Sequence, residues 1–169
     1  MAACPDEQLS HLTVVAAGAE AYVQDAVLSD LSNVPLFSER SYDELSVGDR
    51  WGPFVESLDQ ATSDELRGAI GCSSPGAGAP LGVLPLLTLR VLRRALDGII
   101  PGGVLARQTF SVFAAIPAAA DVEVTVAVTG QQRRPSGFYT TFAFTLSCEG
   151  SVRAMAEWMI IAPQTEGDG

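Results

Sequence analysis

The residues of this chain best suited to chemistry gather in one small-residue loop, Gly71-Cys72-Ser73-Ser74-Pro75-Gly76-Ala77-Gly78, and in the carboxylates just ahead of it. Cys72 is the candidate nucleophile, but covalent use of a thiol needs a neighbouring base to deprotonate it. His11 is the one imidazole in the sequence, and no adjacent cation lowers the Cys72 thiol from an ordinary pKa of about 8.5. A small loop or buried cysteine is the plain alternative. Ser73 and Ser74 lack the strand-turn-helix GxSxG setting of an activated serine, so loop geometry is the role expected of them. The backbone N–H groups of Ser73, Ser74, Gly76 and Gly78 precede a helix start, where unpaired donors can polarise a carbonyl oxygen. Asp59, Asp64 and Glu65 are candidate acid–base carboxylates or, in the simpler reading, helix-start charges facing water.

Composition removes several mechanisms outright. The ten basic residues are all arginine, so a Schiff-base lysine, a pyridoxal-phosphate anchor and a GxxxxGK phosphate loop are excluded. A single histidine excludes a metal site of several imidazoles, and no metal is expected. Cys4, Cys72 and Cys148 form an odd set without CxxC spacing, which points to reduced thiols and a cytoplasmic setting. Twenty acidic residues give a formal charge of -10, and such a balance repels the nucleic-acid backbone. The apolar stretch 12–19 follows Asp6 and Glu7 rather than a positive segment, and it is too short for a membrane span of roughly 20 residues. With 169 residues, 47% of them hydrophobic, the chain is expected to fold as one domain with a sizeable core.

Period and punctuation then place these residues on elements. Val23, Val27 and Leu31 recur at helical spacing, so a short amphipathic helix is expected over 19–31. Residues 41–53 read as a polar lead-in to a strand at about 52–58. Thr62 or Ser63 is the expected cap of a short helix to Ile70, with Asp64 and Glu65 in its first turn. After the loop, Leu84, Leu87, Val91, Leu92 and Ala95 mark a long apolar helix ending at Gly98. Arg90, Arg93, Arg94 and Asp97 are expected on its polar face. Beyond Pro101-Gly102-Gly103 the period becomes alternating in four successive stretches. These run through Phe110, through Val122, Val124, Val126 and Val128, through Phe138, Phe142 and Phe144, and through Ala154, Trp158 and Ile160. Turns at 130–137 and at Glu149-Gly150 make their neighbours antiparallel. A sheet face this apolar must be covered, and the long helix is the internal element available. The expectation is an α+β domain, an antiparallel sheet wrapped around a central helix.

That element order, with the opening Tyr42-Asp43-Glu44-Leu45 and Val47-Gly48-Asp49, resembles the MaoC-like hydratases and dehydratases of the hotdog (thioesterase/dehydratase) superfamily. The resemblance covers roughly residues 40–162 and divides the chain into an N-terminal helical extension over 1–40, a MaoC-like hotdog domain over 41–163 and a disordered acidic tail over 164–169. It implies an acyl-thioester pocket at a dimer interface, with the acyl chain beside the central helix. The family's catalytic loop reads Gly-Asp-x-Asn-Pro-x-His. Here Gly71 and Pro75 match, while Cys72 stands in place of the aspartate, Ser74 of the asparagine and Ala77 of the histidine.

Hydration of an enoyl thioester needs a base to activate water and an acid to protonate carbon, and alanine supplies neither. The leading expectation is therefore a protein of acyl-thioester metabolism that binds acyl-CoA or acyl carrier protein, or serves as the non-catalytic half beside a homologous active subunit. The alternatives are a hotdog thioesterase or hydratase with a relocated carboxylate, Asp59 or Glu65, with the Cys72 thiol as a further catalytic candidate, and a structural or ligand-sensing dimer. Arg133 and Arg134, and the Arg90, Arg93, Arg94 stripe, are local positive spots that a coenzyme A or phosphopantetheine phosphate would require. Exposed arginines need no ligand, however. No separate cofactor is expected beyond the thioester ligand, nor any nucleic-acid or membrane partner.

Overall fold

The computed structural model describes residues 12–14, 33–69, 78–135 and 137–163. The helix expected over 19–31 and the tail 164–169 lie outside the described residues. Among those described, six strands form one sheet in the order β1-β3-β6-β5-β4-β2. They are β1 (Leu12–Val14), β2 (Arg50–Leu58), β3 (Val104–Val112), β4 (Ala120–Arg134), β5 (Gly137–Cys148) and β6 (Ser151–Ala162). Every neighbouring pair is antiparallel. Helix α1 (Gln60–Ala69) and helix α2 (Val83–Ala95) fall between β2 and β3. β1 comes from the stretch preceding the expected domain and pairs Leu12 to Val14 against Phe110 to Gln108 of β3.

The alternation read from the sequence is the alternation of the sheet. Val122, Val124, Val126 and Val128 of β4 are buried, as are Phe142, Phe144 and Leu146 of β5 and Ala154, Ala156, Trp158 and Ile160 of β6. Side chains two apart share a face, so these rows form one apolar surface. The Phe144 and Trp158 rings meet at a centroid distance of 5.3 Å and a tilt of 52°, within the geometry aromatic pairs favour. α2 lies across β4 and β2, presenting Val83, Leu84, Leu87, Val91 and Ala95 to the core. Pro85 falls in the first turn of α2, where a missing N–H costs no intrahelical bond. The helix stops at Asp97 and Gly98, whose φ angles are 54° and 125°, and the Gly98 N–H donates back to the Arg93 carbonyl at 2.8 Å. A side chain at Gly98 would collide with the Phe37–Ser38 peptide. That close approach lets residues 36–38 run alongside Ile99, with Ser38 N–H donating to Ile99 O and Ile99 N–H to Leu36 O, both at 2.9 Å.

Three local expectations change. α1 begins at Gln60 because Asp59, not Thr62 or Ser63, accepts the orphan Thr62 N–H, at 2.6 Å. Asp64 and Glu65 therefore lie past the first turn, and Ser63 is buried with its hydroxyl donating to Ala118 O at 2.6 Å. The turn expected over 130–137 is shorter. A register shift between Val128 and Gly130 absorbs the glycine, and pairing continues until Arg134 faces Gly137. Finally, the polar face of α2 is largely buried: Arg90 and Arg93 lie in the interior. Arg93 donates to Val34 O at 2.6 Å and to Pro35 O at 3.1 Å, tying the segment before β2 to the helix.

Candidate functional site

Residues 71–77 carry Cys72, Ser73, Ser74, Gly76 and Ala77, and all of them lie outside the described residues. The structure fixes where that loop leaves and rejoins the fold. It departs from α1 and returns at Gly78, which forms an antiparallel bridge with Pro117. Ala79 N–H donates to Ile116 O at 2.6 Å, and the buried Arg67 guanidinium of α1 donates to the Gly78 carbonyl. Arg67 is held in turn by Asp64 at 2.8 Å. The returning margin of the loop is thus anchored just ahead of β4, and Arg67 ties α1 to it.

Besides Asp64, the carboxylate candidates Asp59 and Glu65 stand at this end. Asp59 is exposed, and hydrogen bonds from the Thr62 backbone and side chain hold its carboxyl below the usual carboxylate range. An ionised cap bound to its own helix is unsuited to donate a proton near neutrality. Glu65 stands exposed on α1. Beside Pro117 runs a shallow cleft lined by Asp121, Glu123, Cys148 and Glu149, whose carboxylates disfavour a phosphate. Cys148 is a free, buried thiol, and burial pushes its pKa up, which keeps it protonated.

Arg133 and Arg134 are at the opposite end. From Ala120 to Arg133, β4 extends on the order of 40 Å at about 3.3 Å per residue. Both arginines are exposed. The Arg133 guanidinium lies 5.3 Å from the Phe138 ring centroid and that of Arg134 lies 4.7 Å from the Tyr139 centroid, while Arg134 also donates to Gln132 Oε1 at 2.7 and 2.9 Å. Stacking on aromatic faces holds these cations extended from the hairpin. Within one chain, therefore, Gly78, Asp59 and Glu65 share one end of the sheet and the Arg133–Arg134 pair occupies the other.

The stripe on α2 does not form a phosphate site. Arg90 Nε lies 2.9 Å and Arg94 Nη1 2.7 Å from the two oxygens of Glu56, a carboxylate only 1% exposed. Glu56 is the functional-type residue that sequence reasoning missed. Its signal was present: in β2 it has the same parity as the inward Leu58, and Arg90 and Arg94 are one helical turn apart on the facing helix.

No family model matches the sequence, and no curated protein matches it. Solved structures do. An R-hydratase, PhaJ1 of Pseudomonas aeruginosa, superposes with a TM-score of 0.60 at 19% identity, covering 73% of this chain and 86% of that one. The HadBC 3R-hydroxyacyl-ACP dehydratase complex of Mycobacterium tuberculosis gives 0.60 at 14% identity, covering 69% and 96%. A monoamine oxidase regulatory protein from Archaeoglobus gives 0.65 at 9%, covering 76% and 97%. These likenesses establish the fold, an α+β hotdog architecture in which an antiparallel sheet packs on a central helix.

Proposed function

We propose, from this hotdog fold, that the chain is a MaoC-like protein of acyl-thioester metabolism that binds an acyl-CoA or acyl-carrier-protein thioester without itself hydrating or cleaving it. The likeness to a hydratase and a dehydratase supports the class. The non-catalytic reading rests on the engagement of the carboxylates. Asp59 is committed to capping α1, Glu56 is clamped by two arginines, and Cys72 and Ala77 occupy the positions that the resemblance gives to aspartate and histidine. Hydration then lacks the base and acid of the family loop, and Glu65, exposed on α1, is the candidate left for a relocated carboxylate.

The separation of Gly78 from Arg133 and Arg134 supports an assembly of at least two chains. A second subunit packed antiparallel brings its arginine end beside the first subunit's loop end, so one thioester can meet the loop amides and a cationic phosphate site together. That partner is a second copy or a homologous active subunit. The ligand in this reading is the thioester itself, with no separate cofactor or metal. A cytoplasmic setting fits the free thiol of Cys148. Among the described residues no helix is long and apolar enough to cross a membrane.

Calorimetric titration with acyl-CoAs and acyl carrier proteins of increasing chain length, followed by assays for released thiol and for enoyl absorbance, tests the proposal. Saturable binding without turnover is expected. Turnover would favour an enzyme with a relocated carboxylate, and failure to bind any thioester would leave a structural or ligand-sensing dimer.

A further inference from the structure

The sheet face turned away from α2 has its charges sorted by end. On β4 it carries Asp121 and Glu123 at the loop end and Arg134 at the hairpin end, all exposed. Arg133 belongs to the other face. The register shift between Val128 and Gly130 sets it opposite Phe138, in the parity of the buried Thr140 and Phe142, whereas Arg134 lies over the Tyr139 ring. Arg50 of β2 faces Ala127, so it too stands on the outward face, on the arginine side of both acids. Between the ends this face is short and uncharged on β4 and β5, where Thr125 faces Thr145 and Ala127 faces Ala143.

The same face exposes apolar side chains along its length: Val55 and Val152 toward the acidic end, Met155 nearer the middle and Val104 at the arginine end. Val104 faces Ile161, which faces Tyr139, so an apolar row joins the ring beneath Arg134 to the sheet edge. Exposed apolar residues gathered on one face mark an interaction surface. β5 has 12 residues. It runs about 40 Å, and four strands about 4.8 Å apart give a face on the order of 700 Å², near the roughly 800 Å² per partner of a stable interface. At the acidic end lies the cleft lined by Asp121, Glu123 and Glu149; the projection at the opposite end is the β4–β5 hairpin that carries Arg134.

We propose that two copies of this chain pack back to back through this face with their strands antiparallel, so that Arg134 of each copy meets Asp121 and Glu123 of the other. A two-fold axis lying across the strands superposes β4 on β4 and interchanges its ends, and one rotation then satisfies both charged ends. Parallel stacking sets acid on acid and arginine on arginine, which is disfavoured. The threonines and alanines at the centre are short enough for the spacing of about 10 Å between stacked sheets. A second copy is the occupant because every chain carries both halves of the match. At a formal charge of -10 two copies repel at long range, so the local pairing of Arg134 with the acids decides whether they associate. The interface uses the outward face alone and stands whether or not a thioester binds.

Analytical ultracentrifugation of the full chain reads the assembly, with circular dichroism as the check on folding. The wild type is expected to associate at micromolar concentration. Arg134→Glu and Glu123→Arg are each expected to raise the dissociation constant about tenfold or more and to halve the assembled mass. Combining both substitutions in one chain exchanges the charges at both ends and is expected to restore the wild-type mass, as is mixing the two single variants in equal amounts. Ala143→Arg, at the centre of the face, is expected to separate the copies. A monomeric wild type would overturn the inference, as would an assembled mass that Ala143→Arg and both single reversals leave unchanged. A natively folded double variant that stays dissociated would overturn it as well. Where a reversal disturbs the spectrum, Arg134→Gln and Glu123→Gln are read in its place, and unchanged association in both would count equally against the interface.

Discussion

Glu56 Oε1 of β2 lies 2.7 Å from Arg94 Nη1 of α2, and the second carboxylate oxygen lies 2.9 Å from Arg90 Nε. A single negative charge, 1% exposed, is thereby shared by guanidiniums that are 11% and 28% exposed. The apolar contacts of Leu87 and Val91 with the sheet are non-directional and tolerate small rotations of the helix. The ion pairs do not, because turning α2 by one residue carries both arginines away from Glu56. The clamp therefore fixes the rotation of the central helix over β2.

Removing one partner of a buried charge cluster leaves the rest uncompensated, whereas replacing the whole cluster with apolar groups does not. Glu56→Gln is expected to cost about 3–5 kcal/mol in urea denaturation. Combining Glu56→Leu, Arg90→Met and Arg94→Met is expected to restore wild-type stability or exceed it. A Glu56→Gln protein as stable as the wild type would show that the clamp carries no such role.

The sequence made the sheet legible because its signal is redundant: four valines at period two in β4 and three phenylalanines of one parity in β5 can satisfy only one pattern. The helix faces were less legible. Arg90 and Arg93 read as solvent residues by type, and their burial depends on Glu56 and on the Val34 and Pro35 carbonyls, which are distant in sequence. The same limit applies to the candidate site. Gly78 and Arg133 were both plausible ligand contacts, and only the length of β4 reveals that they belong to opposite ends.

Asp59 gives an acid-side prediction. Its carboxyl is held low by the Thr62 hydrogen bonds, so the stability it contributes is present above the unfolded carboxyl pKa of about 3.9 and is lost as pH falls through the folded value. Thermal melts between pH 2 and 7 should show Asp59→Asn keeping much of the helix cap at neutral pH while losing part of the acid-side slope. Asp59→Ala should lower the midpoint across the neutral range as well. Superimposable melting curves for wild type and Asp59→Ala would remove the cap from the account of α1.

Cys148 is expected to be chemically silent in the folded chain, since only the thiolate is a good nucleophile and burial raises this thiol's pKa. Peptide mapping after iodoacetamide treatment should find Cys148 unmodified at pH 7.5 in native protein and fully modified in concentrated urea. Rapid native labelling would mean that the end of β5 opens readily.

Tyr42 and Gly103 make the alkaline counterpart. Tyr42 is 6% exposed, and a methyl group at Gly103 would collide with its hydroxyl and with Ile160. Burial pushes the phenol up to about 12 from 10.0, so the neutral form is favoured in the folded chain. Because the folded value is the higher one, its stabilising contribution is complete below pH 10, where both states are neutral. It is lost as pH rises from 10 toward 12, where the unfolded chain ionises first. Chemical denaturation across pH 8 to 12 should therefore show a decline that Tyr42→Phe reduces, beyond the background common to both proteins. Gly103→Ala tests the same contact sterically and is expected to cost about 1–3 kcal/mol at neutral pH, as overpacked sites do. Equal alkaline slopes for wild type and Tyr42→Phe would indicate that this phenol is hydrated rather than enclosed.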